Sequence, residues 1–380
     1  MDQRVIRVAG VRACGAGYQN AEQNLRILRE LGSVEIRDLG WKLPEHLHLW
    51  KLRHSRGCSK YLQLARLLTL NAASTIRVLL DWHGRHQAVF VPYPSVFMLW
   101  LMAWIPRRIR PRLIADAYIS IWDAQFNDRG NTRHSLAARL IKSFEGRALK
   151  AASAVIADTE ANRSQMVEEF GLHAERVHAW PLAIDGARFL GNNSTDHRNP
   201  VFTVLFVGTM IPLHGVERIL AAAASFSADE GVQFRLVGDG QLGPVIEAFL
   251  IAHPGIPVTW VRDWQSLDQI AGEIARADAC LGVFGGGAKA ARVLPFKLYM
   301  YLASGKAIIT QALLSTPEGV PRPPAVLVDP AGDIAQAIRG LIAEPGQAVV
   351  LGTRGRQYFE EFLGDDRILQ KWQALLRDPG

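Results

Sequence analysis

The sequence is poor in cysteine and has no apolar run long enough to cross a membrane. Its three cysteines, Cys14, Cys58 and Cys280, lie far apart and form no Cys-x-x-Cys pair. This spacing argues against a disulfide framework and against a zinc site. The chain also does not begin with a basic-then-apolar leader, so export is not expected and a reducing cytoplasm is the predicted location.

Positive charge is concentrated in the first half of the chain. Residues 1–190 hold 27 Lys and Arg against 17 Asp and Glu, a balance of +10, so the remainder carries −3 of the total of +7. One basic segment, Pro106–Arg112, directly follows the apolar decapeptide Val96–Ile105. A bilayer span takes about 20 residues, so the decapeptide either lies on an anionic membrane or forms a buried helix with a solvated basic end. No nucleic-acid partner is expected.

Short apolar runs alternate with helical patterns along the chain, which predicts an α/β protein with parallel sheets. With 49% hydrophobic and 21% charged residues, 380 residues supply two or three folded domains. Predicted strands in the first half are Val5–Ala9, Val34–Asp38, Ala88–Pro92, Arg112–Ala115 and Ala154–Ala157. Predicted helices there lie near Asn20–Leu31, Lys60–Leu80 and Ser135–Ala151.

A second α/β unit is predicted after the polar, turn-rich segment Leu190–Pro200. Its predicted strands are Thr203–Val207, Gln233–Val237, Val258–Val261, Ala279–Val283, Ala307–Thr310 and Ala325–Val328. Its predicted helices lie near Val216–Phe226, Leu242–Ala252, Leu267–Ala277, Pro295–Ala303 and Ile334–Ala343. The predicted division is an N-terminal domain at 1–188, a linker at 189–200, a C-terminal domain at 201–365, and a last helix within 366–380, near Ile368–Leu376, that returns to the N-terminal domain.

The segment Val283–Thr310 carries the pattern of an anion site. An apolar strand end runs into three glycines, then basic residues, then a helix that begins at Pro295. Glycines permit close backbone approach, and the first amides of a helix carry partial positive charge. The candidates for binding a phosphate or diphosphate are Lys289, Arg292, Lys297 and the amides of Val293 and Leu294. A plain strand-to-helix turn with solvated lysines is the alternative.

Polar residues also follow two strands of the first half, at the sheet edge where ligands of α/β proteins bind. Gly15 and Gly17 follow the first strand, and Asp116 follows the fourth, with Ser120 and Asp123 soon after. Asp116 could instead cap a helix. Asp128 and Arg129 form either part of this cluster or a surface ion pair.

Several motifs in order resemble a GT-B glycosyltransferase of the retaining family 4 type. Phe206-Val207-Gly208-Thr209 and Pro212-Leu213-His214-Gly215 resemble its first donor-domain loop, and Leu236–Gly240 with Gly238 resembles the second. Phe284-Gly285, Lys289, Pro295, Lys297 and Leu302–Lys306 resemble its diphosphate-sugar segment, within a subgroup that has the Pro-Leu-His-Gly loop. Ala154–Thr159 and Trp180–Asp185 resemble the exit from its acceptor half.

The resemblance implies two Rossmann-like domains that face each other across a cleft, and sugar transfer from a nucleoside-diphosphate sugar to a lipid-linked or oligosaccharide acceptor. It implies catalytic roles for Lys297, His214 and Asp123. Trp260–Trp264, with Asp263, forms either a pocket for the nucleotide base or part of the core. The family usually has two glutamates where this chain has Arg292 and Met300. Methionine cannot accept hydrogen bonds from ribose hydroxyls, whereas arginine can add a contact to phosphate.

No Asp-x-Asp motif ends a strand, so no metal or other cofactor is expected. Two alternatives remain beside a transferase of cell-surface glycan synthesis. The missing glutamates allow a catalytically silent binding subunit. Gly10, Gly15 and Gly17 after the first strand, with Asp38 further on, suggest a nicotinamide-dependent oxidoreductase, although Asn20 stands where the fingerprint needs glycine or alanine.

Overall fold

A computed structural model describes residues 4–15, 17–43, 58–82, 88–126, 135–189 and 201–377. The predicted linker Leu190–Pro200 lies outside the described residues, and so do Asp128 and Arg129. The chain divides into two compact units, the first made of residues 1–183 and 365–380 and the second of residues 184–364.

The first unit is an α/β unit in which strands and helices alternate. Its elements are β1 (Arg4–Val8), β2 (Val11–Ala13), α1 (Asn20–Arg29), β3 (Val34–Asp38), β4 (Trp41–Leu43), α2 (Cys58–Asp81), β5 (Ala88–Val91), α3 (Val96–Met102), β6 (Arg112–Asp116), α4 (Ile121–Phe126), α5 (Leu136–Ala151), β7 (Ala154–Ala157), α6 (Glu160–Phe170) and β8 (Val177–Ala179). Six strands form a parallel sheet in the order β3-β1-β5-β6-β7-β8.

Alternate residues of this sheet enter two different apolar cores, as the two-residue period of a strand requires. Val89 and Val91 of β5 pack in a core with α3, α5 and α6. Ala88 and Phe90 pack in a core with α1. The strand order reverses between β1 and β5, so the carboxyl ends of these strands mark the place where such a sheet binds ligands.

Helix α3 decides between the two interpretations of the apolar decapeptide Val96–Ile105. Met98, Leu99 and Met102 are buried in the core that α3 shares with α5 and α6. Of the two alternatives, α3 is therefore the buried helix, and its buried residues are not available to a membrane. Trp104, just beyond the helix, is exposed.

The second unit repeats the alternation with a different strand order. Its elements are β9 (Phe202–Val207), α7 (Val216–Ala224), β10 (Val232–Val237), α8 (Gly243–Ala252), β11 (Val258–Val261), α9 (Leu267–Arg276), β12 (Ala279–Leu281), α10 (Phe296–Ala303), β13 (Ala307–Gln311), β14 (Val326–Val328), α11 (Ile334–Ala343) and α12 (Pro345–Tyr358). All neighbouring strands are parallel, in the order β11-β10-β9-β12-β13-β14. This is the 3-2-1-4-5-6 order of Rossmann sheets, with its switch point between β9 and β12.

The last helix, α13 (Asp365–Arg377), belongs to the first unit. Its Trp372 is fully buried, with its ring centroid 5.1 Å from that of Phe90 and 5.2 Å from that of Trp180. The indole Nε1 donates to Asn24 Oδ1 at 2.7 Å. This buried contact holds α13 against α1 and the sheet.

All the strands predicted from apolar runs are present, with ends shifted by two residues at most. The short strands β2, β4 and β8 and the helices α4, α6 and α12 were not predicted. Helix α12 is hard to predict because it contains three glycines. One of them is required by packing, since a Cβ on Gly352 would lie 2.1 Å from the carbonyl oxygen of Gly305. None of the described helices is both long and apolar enough to cross a membrane.

Candidate active site

The loops that follow β9 and β12 meet at the switch point of the second sheet. After β9, Pro212–His214 form a single 3-10 turn, and Gly215 begins α7 with a φ of +64°. A Cβ on Gly215 would lie 2.5 Å from the carbonyl carbon of Phe284, so the position needs glycine for both conformation and space. The Phe284 amide donates to the His214 carbonyl at 3.1 Å. The Pro-Leu-His-Gly loop is thereby fixed against Phe284 and Gly285.

Lys297 places a buried amine at this junction. The side chain lies in the first turn of α10 and is 5% exposed, with Nζ 3.7 Å from the ring centroid of Phe206. A Cβ on Gly208 would lie 2.9 Å from Nζ, which shows how closely the β9 loop covers it. Nζ has no hydrogen-bond partner among the described residues. Burial therefore lowers the pKa of Lys297 well below its ordinary value.

His214 is the second buried cationic candidate, and it lies beside Lys297. Its ring packs edge-on against Phe206 with centroids 5.5 Å apart, and its Cε1 lies 3.1 Å from where a Cβ on Gly208 would be. Burial and the charge of Lys297 lower the pKa of His214 well below its ordinary value, against an opposing effect of the Thr209 backbone. The structure thus brings Lys297, His214 and Gly208 together, as the sequence predicted for a single site.

The remaining donor-side candidates surround this junction at different depths. A 3-10 turn, Ala290–Arg292, precedes the Pro295 cap of α10. Arg292 ends this turn and Lys289 caps its start, and both side chains are half-buried. Leu294 and Met300 are buried, whereas Val293 is half-buried. Thr209, in the loop after β9, is exposed. A basic turn therefore leads into the helix whose first turn carries Lys297.

The predicted base-pocket segment packs against the loop that follows β10. Trp260 Nε1 donates to the Gly238 carbonyl at 2.8 Å. A Cβ on Gly238 would lie 2.2 Å from the Gly208 carbonyl oxygen, so this loop is pressed against the β9 loop. Asp263 is exposed just beyond β11. Trp260 supports the site by positioning Gly238.

In the first unit, a buried carboxyl group lies at the carboxyl end of β6. Asp116 Oδ2 accepts from Asn20 Nδ2 at 3.0 Å. Burial raises the pKa of Asp116 to about 7, against the hydrogen bond from Asn20. Asn20 Oδ1 in turn accepts from the Ala183 amide at 2.8 Å. An acid that titrates near neutral pH is suited to binding a hydroxyl group or moving its proton.

A second buried carboxyl group organises the segment that contains Ser120 and Asp123. Glu145 accepts from the amides of Ile121 and Trp122 at 2.9 and 2.7 Å and from Ser120 Oγ at 3.1 Å. Burial raises the pKa of Glu145 to about 7, and the nearby Asp123 adds to that shift. Asp123 is buried and accepts from Gln165 Nε2 at 2.9 Å. Ser120 therefore holds Glu145 and the start of α4 in place.

The glycines after β1 do not form a dinucleotide fingerprint. Gly15 has a φ of +110°, but Gly17 is exposed and has open space around it. Asp38, which would bind a ribose, accepts from Arg12 through both oxygens, at 3.0 and 2.7 Å. Asn20 is committed to Asp116 and Ala183. These contacts argue against the oxidoreductase alternative.

Comparison of the whole chain with solved structures identifies proteins that have a similar fold. It is similar to sucrose-phosphate synthase from Thermosynechococcus elongatus, with a TM-score of 0.71 and 16% identity over 99% of this chain and 98% of the other. The chain has the GT-B fold. HepE from Anabaena in complex with UDP-glucose is similar at a TM-score of 0.66 and 13% identity, over 98% and 99% of the two chains. An α,α-trehalose 6-phosphate synthase from Burkholderia multivorans gives a TM-score of 0.63 at 11% identity, over 99% and 97%.

No family model matches the sequence, and no curated protein matches it either. At these low identities the solved structures show the fold alone. The predicted GT-B architecture of two Rossmann-like domains is confirmed. Among the described residues, no group of three or more His, Cys, Asp or Glu side chains could hold a metal ion.

Sequence reasoning missed three residues that shape these sites in the GT-B fold. Phe206 belongs to a motif, yet its ring packs against both Lys297 and His214. Asn20 interrupts a glycine pattern, and Glu145 lies within an ordinary helical pattern. A carboxylate on the buried face of a predicted helix was the one available signal for Glu145.

We expect Lys297→Met to stabilise the free protein. Methionine fills similar space without a polar atom, so the variant should gain about 1–3 kcal/mol, the usual cost of a buried group without a partner. Lys306, three residues beyond the end of α10, is the control, because its Nζ donates to the Ala275 carbonyl at 2.7 Å. Lys306→Met should lower stability. Chemical denaturation of both variants checks this, and a Lys297→Met protein less stable than wild type would contradict the assignment.

Asp116→Asn should change stability in a pH-dependent way. A folded-state pKa of about 7 against an ordinary 3.8 means that the contribution of Asp116 to stability is most favourable below pH 3.8 and is lost as the pH rises through 7. Relative to wild type, the variant should therefore gain up to about 4 kcal/mol between pH 4 and pH 8, at roughly 1.4 kcal/mol per pKa unit. Denaturation at several pH values measures the difference. The exposed Asp366→Asn is the control, and a pH-independent difference for Asp116→Asn would refute the shift.

Proposed function

We propose that this chain is a retaining glycosyltransferase of the family 4 type, in the Pro-Leu-His-Gly subgroup. It transfers a sugar from a nucleoside-diphosphate sugar to a lipid-linked or polysaccharide acceptor in the synthesis of cell-surface glycans such as lipopolysaccharide. The observation that carries the proposal is the buried Lys297 amine at the switch point of the second sheet, next to His214 and behind Gly208. Uridine diphosphate is the first nucleotide to test, because HepE, a protein of the same fold, has been solved with UDP-glucose.

The leaving diphosphate explains why a lysine is placed where its charge is disfavoured. Cleavage of the anomeric bond develops negative charge on the diphosphate, and fixed donors around it lower the barrier. In the free protein, burial lowers the pKa of Lys297. A bound diphosphate opposes that shift by supplying the missing opposite charge. Arg292 and Lys289, on the turn that precedes α10, add charge-assisted contacts to the same group.

The acceptor belongs to the first unit in this proposal. Asp116 and Asp123 orient its hydroxyl group, with Gly15 and Gly17 near its path. In the retaining mechanism, the leaving phosphate itself takes the acceptor proton on the face where the new bond forms. The side chains of the first unit then position the acceptor, and neither a metal nor a dedicated base is required.

The location follows from the acceptor. A lipid-linked acceptor requires the enzyme to work at the inner face of the plasma membrane, as a peripheral protein. The proposed location is therefore the cytoplasm, at the inner face of the plasma membrane.

Donor binding and transfer test the proposal with one variant. UDP and UDP-sugars should raise the thermal midpoint of wild type, and Lys297→Met should lose that shift and transfer at least about a hundredfold more slowly. Nuclear magnetic resonance of the released or transferred sugar should show a retained anomeric configuration.

Three outcomes would contradict the proposal in different ways. Stabilisation by NAD but by no nucleoside diphosphate would indicate an oxidoreductase. Donor binding without hydrolysis or transfer to any membrane extract would indicate a silent binding subunit, which the Arg292 and Met300 positions also allow. An inverted anomer would reject the retaining mechanism alone.

A further inference from the structure

Helix α2 (Cys58–Asp81) presents most of its large apolar residues to solvent and several polar residues to the protein. Leu67 and Val78 are buried, but so are Asn71, Ser74 and Thr75 between them. Seven large apolar residues on the outside are between 37% and 75% exposed. They are Tyr61, Leu62, Leu64, Leu68, Ile76, Leu79 and Leu80. This is the reverse of the pattern of a helix that simply covers a core.

The inward polar residues show that this orientation is held in place. Ser74 Oγ accepts from the Gly10 amide at 2.7 Å and donates to the Leu39 carbonyl at 3.1 Å. Thr75 Oγ1 donates to the Asn71 carbonyl at 2.9 Å. Rotating α2 to bury its leucines would break the Ser74 contacts and leave the Gly10 amide without its partner. The outward leucines are therefore a stable feature of the first unit.

The exposed apolar residues form one stripe rather than scattered positions. At 3.6 residues per turn, the seven fall within an arc of about 160°, and from Tyr61 to Leu80 the stripe is about 28 Å long. Arg66 and Arg77 are exposed at one margin of it. Contiguous apolar surface of this size on a folded protein marks an interaction site.

A strongly cationic groove lies on the same side of the sheet. Helix α3 packs between α2 and α5, and an open groove of about 610 Å³ runs along α5. Five cations line the groove against one acid, Glu169, which pairs with Lys142. The cations are Arg110, Arg139, Lys142, Arg147 and Lys150.

Apolar side chains are interleaved with these cations. Trp104 is exposed beside the groove with the Arg147 guanidinium 3.8 Å from its ring centroid. Ile109, between Arg108 and Arg110, is exposed, as are Leu136 and Leu140 on the outer face of α5. Leucine and tryptophan next to arginine and lysine are the composition of a surface that sits in the interfacial region of a bilayer.

The positive charge of this surface favours an anionic membrane over a second copy of the chain. Each cation near an anionic leaflet gains attraction, and the apolar stripe adds burial in the acyl region, so the two contributions reinforce each other. A symmetric contact between two copies would instead set one cationic groove against another. The surface therefore fits a membrane that contains anionic phospholipids better than it fits a second copy.

We propose that the outer face of α2 and the α5 groove form one docking surface for a bilayer rich in anionic phospholipids. This docking surface would hold the first unit at the membrane that contains a lipid-linked acceptor, and in that respect the inference rests on the proposed function. The membrane contact is then made by α2 and α5, on either side of the buried helix α3.

Flotation with liposomes tests the surface without reference to catalysis. Vesicles of phosphatidylcholine alone are compared with vesicles that also contain phosphatidylglycerol. Wild type should float with the anionic vesicles, and Leu62→Gln/Leu68→Gln/Leu80→Gln should lower the partition coefficient at least about tenfold by removing buried apolar area. Arg108→Gln/Arg139→Gln/Arg147→Gln should remove the preference for anionic vesicles, and added salt should mimic that change.

Matched controls come from the second unit. Ile251→Gln/Val349→Gln removes exposed apolar side chains there, and Arg322→Gln/Arg354→Gln removes exposed cations. Both should float as wild type does. Circular dichroism and UDP-induced thermal shifts should be unchanged in all four variants, so a failure of flotation is distinguishable from a failure of the proposed transferase.

The opposite results are equally clear. Wild type that floats with no vesicle, or an α2 variant that floats as well as wild type, would overturn the docking surface. A concentration-dependent dimer that the α2 substitutions abolish, without flotation, would assign the stripe to a second copy instead.

Discussion

The proposed donor site of the second unit depends on the buried amine of Lys297, which has no hydrogen-bond acceptor among the described residues. Lys297 is held by α10 behind the β9 loop, against the ring of Phe206, and its Nζ reaches no acceptor among the described residues. Keeping such a group inside a protein is costly, because burial disfavours its charge and leaves its donors unused. The cost is tolerated where a ligand supplies the missing charge, and functional sites are where such perturbed groups collect.

Glycine backbones make that burial possible. Gly215 allows the Pro-Leu-His-Gly loop to contact Phe284, and Gly238 allows the β10 loop to press on Gly208. In the first unit, Asp116 shows the same relation between burial and charge with the opposite sign, because burial raises its pKa to about 7. In each half of the GT-B fold, burial thus disfavours the charged form of one such group.

The sequence predicted the strands well because a buried parallel strand is a nearly continuous apolar run. It predicted the loops of the second unit because their glycines and basic residues occur in a recognisable order. It could not predict the partners of Asn20 or Glu145, since those contacts join distant segments. It also could not separate the buried apolar helix α3 from the exposed apolar stripe of α2, because apolar composition alone does not reveal which face a helix buries.

The pKa of Lys297 is the central claim, and a magnetic resonance titration of its labelled Nζ, with and without UDP, measures it most directly. The account predicts a pKa below that of an ordinary lysine in the free protein, because the amine is buried, and a higher pKa once a bound diphosphate supplies the opposite charge. Loss of the signal in Lys297→Met assigns it. An ordinary pKa in the free protein, or one that UDP leaves unchanged, would contradict the account.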